Sequence, residues 1–406
     1  MARVLLLLPT ATYRAEDFVT AAAHLGVEVV VGSEHRQAMA DAMDDRALVV
    51  PFDRPDTAVA AIADLHARSP IDAVVAVDDP GAMVAALAAE RLGLSHNPPS
   101  AVARTHDKAS MRTALAAQGL CQPAFAVLAA DDDAGAVARG VGFPCVVKPT
   151  GLSASRGVIR ADDRAGAIAA AARSRAIAID AGAGEAPALL VESFVPGPEL
   201  AVEGLLRDGV LEVLAVFDKP DPLDGPFFEE TIYVTPSSCP AATLDAVAAT
   251  VAQASSALGL TEGPVHAEVR LHDGRVWLIE VAARSIGGLC ARTLRFGAGV
   301  SLEELILAHA LGRPLDHIRR EALAAGVMML PIPRTGVLRS VGGIERARAV
   351  DGVVGLEITV PKGRLVQTLP EGDRYLGFVF ARAETVADVE HSLRMAHRRL
   401  DIVIDD

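Results

Sequence analysis

The first hundred residues alternate short apolar runs with helical patterns, and few architectures accept that rhythm. The stretches Arg3 to Leu8, Glu28 to Val31 and Ala73 to Val77 read as strands, while Ala15 to Leu25 and Gly81 to Leu92 carry helical spacing. Strands separated by helices imply an open α/β sheet with crossover connections. The make-up of the core agrees: 51% of residues are hydrophobic but only 4% aromatic, so alanine, valine and leucine must fill it, as suits helices packed on parallel strands. The first strand runs into Pro9-Thr10-Ala11-Thr12-Tyr13 rather than Gly-x-Gly-x-x-Gly, which argues against a dinucleotide here.

A chain of 406 residues exceeds one ordinary core, and about two to three domains follow. The turn residues Asn97-Pro98-Pro99-Ser100 close the first unit, 1–104. A second unit, 105–326, opens with a helix starting near Thr105 that carries Lys108, Met111 and Leu115. It continues with strands near Pro144 to Lys148, Ala188 to Glu192, Glu199 to Leu206 and Val210 to Phe217. An alanine-rich helix spans Ala165 to Ile179, and Asp180 to Pro187 reads as a mobile connection. A third unit, 327–406, shows strands at Val327 to Leu330, Val353 to Val360 and Tyr375 to Ala381 and a helix from Val386 to Arg399, a small α+β module.

The net charge of −14 disfavours a sequence-independent grip on nucleic acid or on an anionic membrane, since both need clustered cations. Cysteines 121, 145, 239 and 290 lack metal spacing and read as reduced, structural thiols. Val4 to Leu8 is too short for a signal-peptide core, and no stretch approaches a membrane span, so a cytoplasmic protein is expected.

Four of the 38 basic residues are lysine, and three of these, Lys108, Lys148 and Lys219, stand where a triphosphate would need an ammonium. A compact, rotatable point charge fits a tight phosphate pocket that rejects the wide guanidinium fork. Lys148 ends the apolar run Phe143-Pro144-Cys145-Val146-Val147 and leads into a loop of small residues, Gly151-Leu152-Ser153-Ala154-Ser155-Arg156-Gly157. Backbone N–H groups and hydroxyls of such a loop can close over phosphates; the plainer reading is a mobile surface loop. Within it, Arg156 either clamps a phosphate or faces solvent.

Two alternating runs, Val265 to Leu271 and Val276 to Val281, flank Asp273-Gly274 and read as a β-hairpin. Alternation puts His266, Glu268 and Arg270 on one face of the first strand, and Leu278, Glu280, Ala282 and Arg284 on one face of the second. A three-residue loop at Asp273-Gly274-Arg275, with Gly274 or its neighbour at positive φ, sets Glu268 opposite Glu280; a two-residue loop puts them on opposite faces. The three-residue loop is expected, with Val269, Trp277, Ile279 and Val281 in the core. Facing carboxylates repel unless a cation lies between them, and Mg²⁺ bridging nucleotide phosphates suits that place. Solvated charges on an antiparallel pair are the alternative.

Taken in order, Lys148 with its loop, the stretch Leu190-Val191-Glu192-Ser193-Phe194-Val195-Pro196-Gly197-Pro198-Glu199, and Glu268 followed by Glu280 and Arg284 resemble the ATP-grasp fold. The tail resembles the C-terminal domain of L-amino acid ligases. The resemblance spans the chain and implies an α/β and α+β multidomain fold: an N-terminal pre-ATP-grasp domain, an ATP-grasp domain with its lid at about 122–190, and a C-terminal α+β domain. It implies ATP and Mg²⁺ (or Mn²⁺) as cofactors. Lys108 and Lys148 match lysines that reach the α- and β-phosphates, and the loop with Gly151, Ser153, Ser155 and Gly157 matches the lid over the triphosphate. Glu192 and the backbone near Val195 would meet adenine, Glu199 the ribose, and Leu278 would floor the adenine pocket. Glu268 and Glu280 match the metal carboxylates, and Arg284 the arginine that stabilises the reacting group. Lys219 falls where a cation lies near the transferred phosphate, and Glu230 resembles a substrate-side acid. His266 is substrate-side or a satisfied histidine, and Gly287-Gly288, at the start of a following helix, would offer N–H groups to a substrate carboxylate. The pattern departs at Ala282, where many ATP-grasp enzymes carry asparagine, which leaves the number of metal ions open.

Such a fold implies ATP-dependent ligation of a small-molecule carboxylate to an amine through an acyl phosphate, with no nucleic acid or membrane partner and compatible with a homodimer. Two rivals stand beside it: an ATP-grasp ligase of purine or vitamin-type metabolism, and a non-catalytic ATP sensor. Intact Lys148, Glu268, Glu280 and Arg284 weigh against the sensor.

Overall fold

The strands β1 (Arg3–Leu7), β2 (Glu28–Ser33), β3 (Ala47–Val49) and β4 (Ala73–Ala76) form a parallel sheet in the order β3-β2-β1-β4. The computed structural model describes residues 1–406 except 11, 38, 39, 41, 42, 298, 316, 317 and 406. Every residue of β1 is buried, as a strand covered on both faces requires. The helix α1 (Ala15–His24) connects β1 to β2, α2 (Pro55–Arg68) connects β3 to β4, and α3 (Asp79–Leu92) follows β4. α3 ends where Gly93 adopts φ +69°, a left-handed cap that glycine reaches without a Cβ clash. Neither β3, three residues long, nor α2 was anticipated from the sequence.

The expected helix near Thr105 is two helices, α4 (Pro99–His106) and α5 (Lys108–Ala117). Asp107 breaks them: its backbone is extended and its carboxylate accepts from the Ser110 N–H, capping α5. Lys108 therefore opens a helix, and its own N–H donates to Thr150 O at 2.9 Å.

Next comes an antiparallel sheet, β5 (Phe125–Leu128), β6 (Cys145–Pro149), β7 (Ile159–Ala161) and β8 (Leu189–Ser193) in the order β5-β8-β6-β7. It is backed by α6 (Ala134–Val141) and α7 (Arg164–Asp180), the alanine-rich helix anticipated above. Asp163 caps α7 by accepting from the Gly166 N–H.

An eight-stranded sheet forms the body. It draws on β9 (Glu199–Arg207), β10 (Val210–Lys219), β11 (Ile232–Thr235), β12 (Gly263–His272) and β13 (Arg275–Ala282), with α8 (Ala241–Leu258) and α9 (Leu302–Ala310) packed against it. The C-terminal strands β14 (Ala324–Leu330), β16 (Val353–Ile358) and β18 (Gly377–Ala383) extend it in the order β13-β12-β9-β10-β11-β14-β18-β16. Buried Ile232 and Val234 in β11 leave an apolar edge that β14 covers. A small second sheet, β15 (Gly336–Gly342), β17 (Leu365–Val366) and β19 (Asp401–Asp405), with α10 (Ile344–Arg348) and α11 (Val386–Arg398), completes the tail. One apolar cluster joins Leu6 and Phe18 of the first unit to Phe217 and Tyr233 of the body and to Phe378 of the tail.

The hairpin corrects its expectation. His272 pairs with Arg275, so the turn is the two residues Asp273 (φ +49°) and Gly274 (φ +69°), the type I′ pattern. Glu268 nevertheless faces Glu280, because the register shifts by one between Glu268 and Val269, leaving Ile279 as an extra residue. The bulge reverses the faces expected before it: Leu278 is fully buried, while Trp277 is only part-buried and donates its Nε1–H to His272 O. Val269 and Val281 are core, as expected.

Candidate active site

Between the β5–β8 sheet and the body lies a cleft of about 710 Å³, counting its open mouth. Lys108, Lys148, Ser153, Ser155, Glu192, Val195, Glu199, Glu230, Glu268 and Glu280 all line it. Residues from six separate elements and three loops thus meet in one place. Leu278 does not line the cleft; the bulge turns it into the core and gives its place to Ile279.

Lys148, next to last in β6, reaches Glu192 on β8, with Nζ 2.6 Å from Glu192 Oε2. Arg112, on α5 and fully buried, holds the other oxygen at 2.5 Å and donates to Ile279 O at 2.5 Å. Burial pulls the Lys148 ammonium below its usual range despite Glu192, while Arg112 and Lys148 together overcome burial and lower the Glu192 carboxyl. Lys108 donates to Leu152 O at 2.6 Å and lies 3.2 Å from Glu280 Oε1, which ties the 151–157 loop to the hairpin. Burial works against ionisation of Glu280, but Lys108 and Lys148 lower its carboxyl.

The loop itself is strongly turned: Ala154 and Ser155 sit at φ +55° and Gly157 at +74°. Each non-glycine residue in that region costs roughly 1 kcal/mol, strain that gathers at ligand clamps. A side chain at Gly157 would meet Pro149 at 2.8 Å. Gly151 and Gly157 bound the loop but do not line the cleft. Arg156 does not line the cleft: its Nε donates to Glu371 O at 3.1 Å and it pairs with Asp180 at 3.1 Å. Gly157 N–H donates to Pro370 O at 2.8 Å, so the tail holds the loop from behind.

Across the body, register places Lys219 opposite Glu199 and Glu199 opposite Arg270, one row over three strands. Lys219 Nζ lies 2.7, 2.6 and 3.0 Å from carboxylate oxygens of Glu199, Glu230 and Glu268. Those three acids place ligand oxygens within 4.8 Å of one another, as a metal site would, but the ammonium already fills their centre. Burial penalises its charge, yet the three carboxylates raise Lys219 well above its ordinary range. Glu199, expected at the ribose, has its second oxygen on Arg270 Nε at 2.7 Å. Arg270 also holds Val195 O at 2.7 Å and Leu223 O at 2.6 Å, bracing two loops that line the cleft. Its place on the face of Glu268 was legible; its partners were not.

Glu268 is pushed down to about 2, with burial opposing ionisation and Lys219 more than offsetting it. His266 lies outside the lining; its Nδ1 is 3.2 Å from Glu203 Oε2 and its Nε2 3.7 Å from Glu268 Oε1. Burial disfavours its charge, but Glu203 and Glu268 raise it to about 9. Glu203, fully buried and not singled out in the sequence, also accepts from the Ile286 N–H at 3.0 and 2.9 Å. Arg284 pairs with Asp79 at the start of α3, Nε to Oδ1 at 2.8 Å, and Asp79 raises it further against burial. Gly287 and Gly288 follow, but no α-helix begins there. Gly288 is left-handed (φ +64°) and leads only into the short 3-10 turn Cys290–Thr293.

The donor set fits a hard divalent cation: Glu268 and Glu280 stand opposed on the hairpin at the cleft, each offering carboxylate oxygen. Among the described residues no helix is long and apolar enough to cross a membrane, and the cysteines are unpaired.

Family models place this architecture. Residues 19–96 match the ATP-grasp N-terminal domain and residues 141–293 the ATP-grasp domain; the chain belongs to the ATP-grasp superfamily. Within it, residues 328–405 match the L-amino acid ligase C-terminal domain 2. The protein y4rH of Sinorhizobium fredii is 27% identical over 311 residues, 75% of this chain and 62% of that protein. The D-alanine–D-alanine ligase of Aromatoleum aromaticum is 34% identical over 178 residues, 43% of this chain and 55% of the ligase. The chain thus spans under two thirds of either relative. A crystal structure of L-amino acid ligase from Bacillus licheniformis superposes with a TM-score of 0.80 at 25% identity, covering 100% of this chain and 99% of that one.

Proposed function

We propose that this protein is an ADP-forming ligase that joins two amino acids, or an amino acid and a small acid, through an acyl phosphate. The observation that carries the reading is the pairing of Glu268 with Glu280 across the cleft face of the hairpin, beside two buried lysines. Lys108 and Lys148 bind the α- and β-phosphates, the loop 151–157 covers the triphosphate, and Ile279 rather than Leu278 walls the base. Glu192 and the Val195 backbone meet the adenine and Glu199 the ribose, while Arg112 and Arg270 hold the two carboxylates in place. Glu268 and Glu280 would hold a divalent ion, Mg²⁺ or Mn²⁺, which supplies charge neutralisation at the β- and γ-phosphates when bound.

A substrate carboxylate oxygen attacks the γ-phosphorus and ADP leaves; the deprotonated amine then attacks the acyl carbon and phosphate leaves. Lys219 and Arg284 stabilise charge on the transferring group, and Glu230, held by Lys219 and Tyr233, faces the substrate. His266 and the Gly287-Gly288 backbone stand on the substrate side. The same reading divides the chain at 1–104, 105–326 (lid about 122–190) and 327–406, the last boundary falling inside β14, and sets the enzyme in the cytoplasm.

Phosphate release from Mg-ATP, measured with the L-amino acids in all pairs and separately with purine-pathway intermediates, tests the reading. Stimulation by an amino acid pair, with a dipeptide as product, is expected. Stimulation by purine intermediates alone would replace it with the purine-type ligase, and binding of ATP with no turnover under any pairing would favour a sensor.

A further inference from the structure

Arg14 is the largest side chain buried at the joint between the first unit and the body, 1% exposed, and its partners converge on one place. Nη1 donates to Val77 O at 2.7 Å, just past the end of β4, and to Asp78 Oδ1 at 3.4 Å; Nη2 donates to Ser285 Oγ at 2.7 Å. Thr12 hydroxyl donates to the other Asp78 oxygen at 2.6 Å and accepts from the Arg14 N–H at 3.2 Å. Asp78 immediately precedes Asp79, which holds Arg284, and Ser285 immediately follows Arg284. Arg284 itself donates to Ser285 O at 3.0 Å.

We infer that Arg14 is a positioning residue for Arg284, reaching it from outside the ATP-binding half by two routes, through Asp78 to Asp79 and through Ser285. This rests on the proposed role of Arg284 at the transferring group. The first unit then supplies the tie that fixes the 284–286 turn from one side, while Glu203 fixes it from the other through the Ile286 N–H. A guanidinium is required because three acceptors lie around it in a fork, and a lysine's single nitrogen cannot reach all of them. Glu303, 4.0 Å from Nη2 and nearly fully buried, adds a counter-charge without a hydrogen bond at that distance. Buried arginines commonly serve only as struts, so the test separates the two roles through their coupling to Arg284.

The full-length protein is compared with Arg14→Lys, Ser285→Ala, Arg284→Lys and the Arg14→Lys/Arg284→Lys pair. Two readouts are used: amide exchange over 284–288, and phosphate release from Mg-ATP with an equimolar mixture of the L-amino acids. Arg14→Lys should speed exchange in 284–288 by at least about threefold and lower phosphate release by roughly 10- to 100-fold, the scale of a catalytic group displaced by about an ångström. The affinity for Mg-ATP should stay within about twofold, since the residue does not touch the cleft. Ser285→Ala, which removes one hydroxyl and no charge, should move both readouts in the same direction by a smaller factor. In the Arg284→Lys background, Arg14→Lys should change release by less than about twofold. Effects that multiply, or unchanged exchange at 284–288 in both Arg14→Lys and Ser285→Ala, overturn the inference. Normal release by Arg284→Lys, or no release by the wild type, counts instead against the ligase reading, and exchange then decides on Arg14 alone.

Discussion

Lys148 and Lys219 are both buried ammonium groups, yet their surroundings pull them in opposite directions. Lys148 shares one carboxylate with Arg112 and is lowered by burial; Lys219 sits among three carboxylates and is raised. A ligand anion therefore has more to offer Lys148, whose ion-pair partner Glu192 is already shared with Arg112. Lys148→Arg is expected to weaken ATP binding by at least about tenfold, because the guanidinium must fit where Glu192 and Arg112 leave room for one nitrogen. Calorimetric titration of nucleotide into the variant measures this, and an unchanged Kd would refute the point-charge pocket. Glu280→Gln keeps the volume and removes a charge facing Lys108. It should abolish Mg-dependent phosphate release while shifting the thermal midpoint by no more than a few degrees. Turnover at the wild-type rate would remove Glu280 from the metal site.

At the scale of elements, the hairpin bulge and the 151–157 loop show how local irregularity serves the cleft. A two-residue turn with regular pairing would send Glu280 away from Glu268; the extra residue Ile279 restores the opposition and places its carbonyl on Arg112. The loop 151–157 is held less by its own contacts than by the tail and by α7. Arg173 on α7 grips the Glu371 carboxylate at 2.7 and 2.9 Å, and Arg156 takes the Glu371 carbonyl. Both partners of the Arg173 pair are partly exposed, so the tie is modest in energy. Glu371→Ala should accordingly speed amide exchange over 151–157 by only about two- to fivefold without nucleotide, and Mg-ATP should slow it in both proteins. An exchange rate indifferent to Mg-ATP would leave the segment an ordinary surface loop.

For the whole molecule, the continuous eight-stranded sheet and the cluster from Leu6 through Phe217 to Phe378 make the three units one packed body. Arg292 reinforces the joint by pairing with Asp17 on α1 at 2.9 Å and Glu357 on β16 at 2.5 Å. Ionisation in the centre makes stability depend on pH in both directions. Glu268 falls from 4.5 to about 2 on folding, so its contribution is complete above 4.5 and lost as pH drops toward 2. His266 rises from 6.5 to about 9, so its contribution is complete below 6.5 and lost as pH climbs through 9. The thermal midpoint of the nucleotide-free protein should decline between pH 6.5 and 9, and His266→Gln should flatten that limb while only narrowing the acid limb, which Lys219 still sustains. An alkaline limb as steep in the variant as in the wild type would show that His266 is not the group responsible.

What the sequence determined by itself were the local matters. Periodicity marked β1, β6, α7 and α11 because each buries a face whose spacing is written in consecutive residues. The loop 151–157 was visible in its small residues and bounding glycines, and Lys148, Glu192, Glu199, Glu268 and Glu280 all reached the cleft. The tertiary structure decided the rest through register between strands far apart in the chain. The row Lys219-Glu199-Arg270 and the contact of Glu203 with His266 and Ile286 exist only because β10, β9 and β12 lie side by side. The bulge at Ile279 exchanged Leu278 for its neighbour because one inserted residue inverts the faces on one side of it, and nothing in the composition of Val276 to Val281 marks where the insertion falls. Arg14 and Asp79 were silent in the sequence for the same reason: a buried charge declares its purpose through its partners, and theirs lie more than 200 residues along the chain, at Ser285 and Arg284.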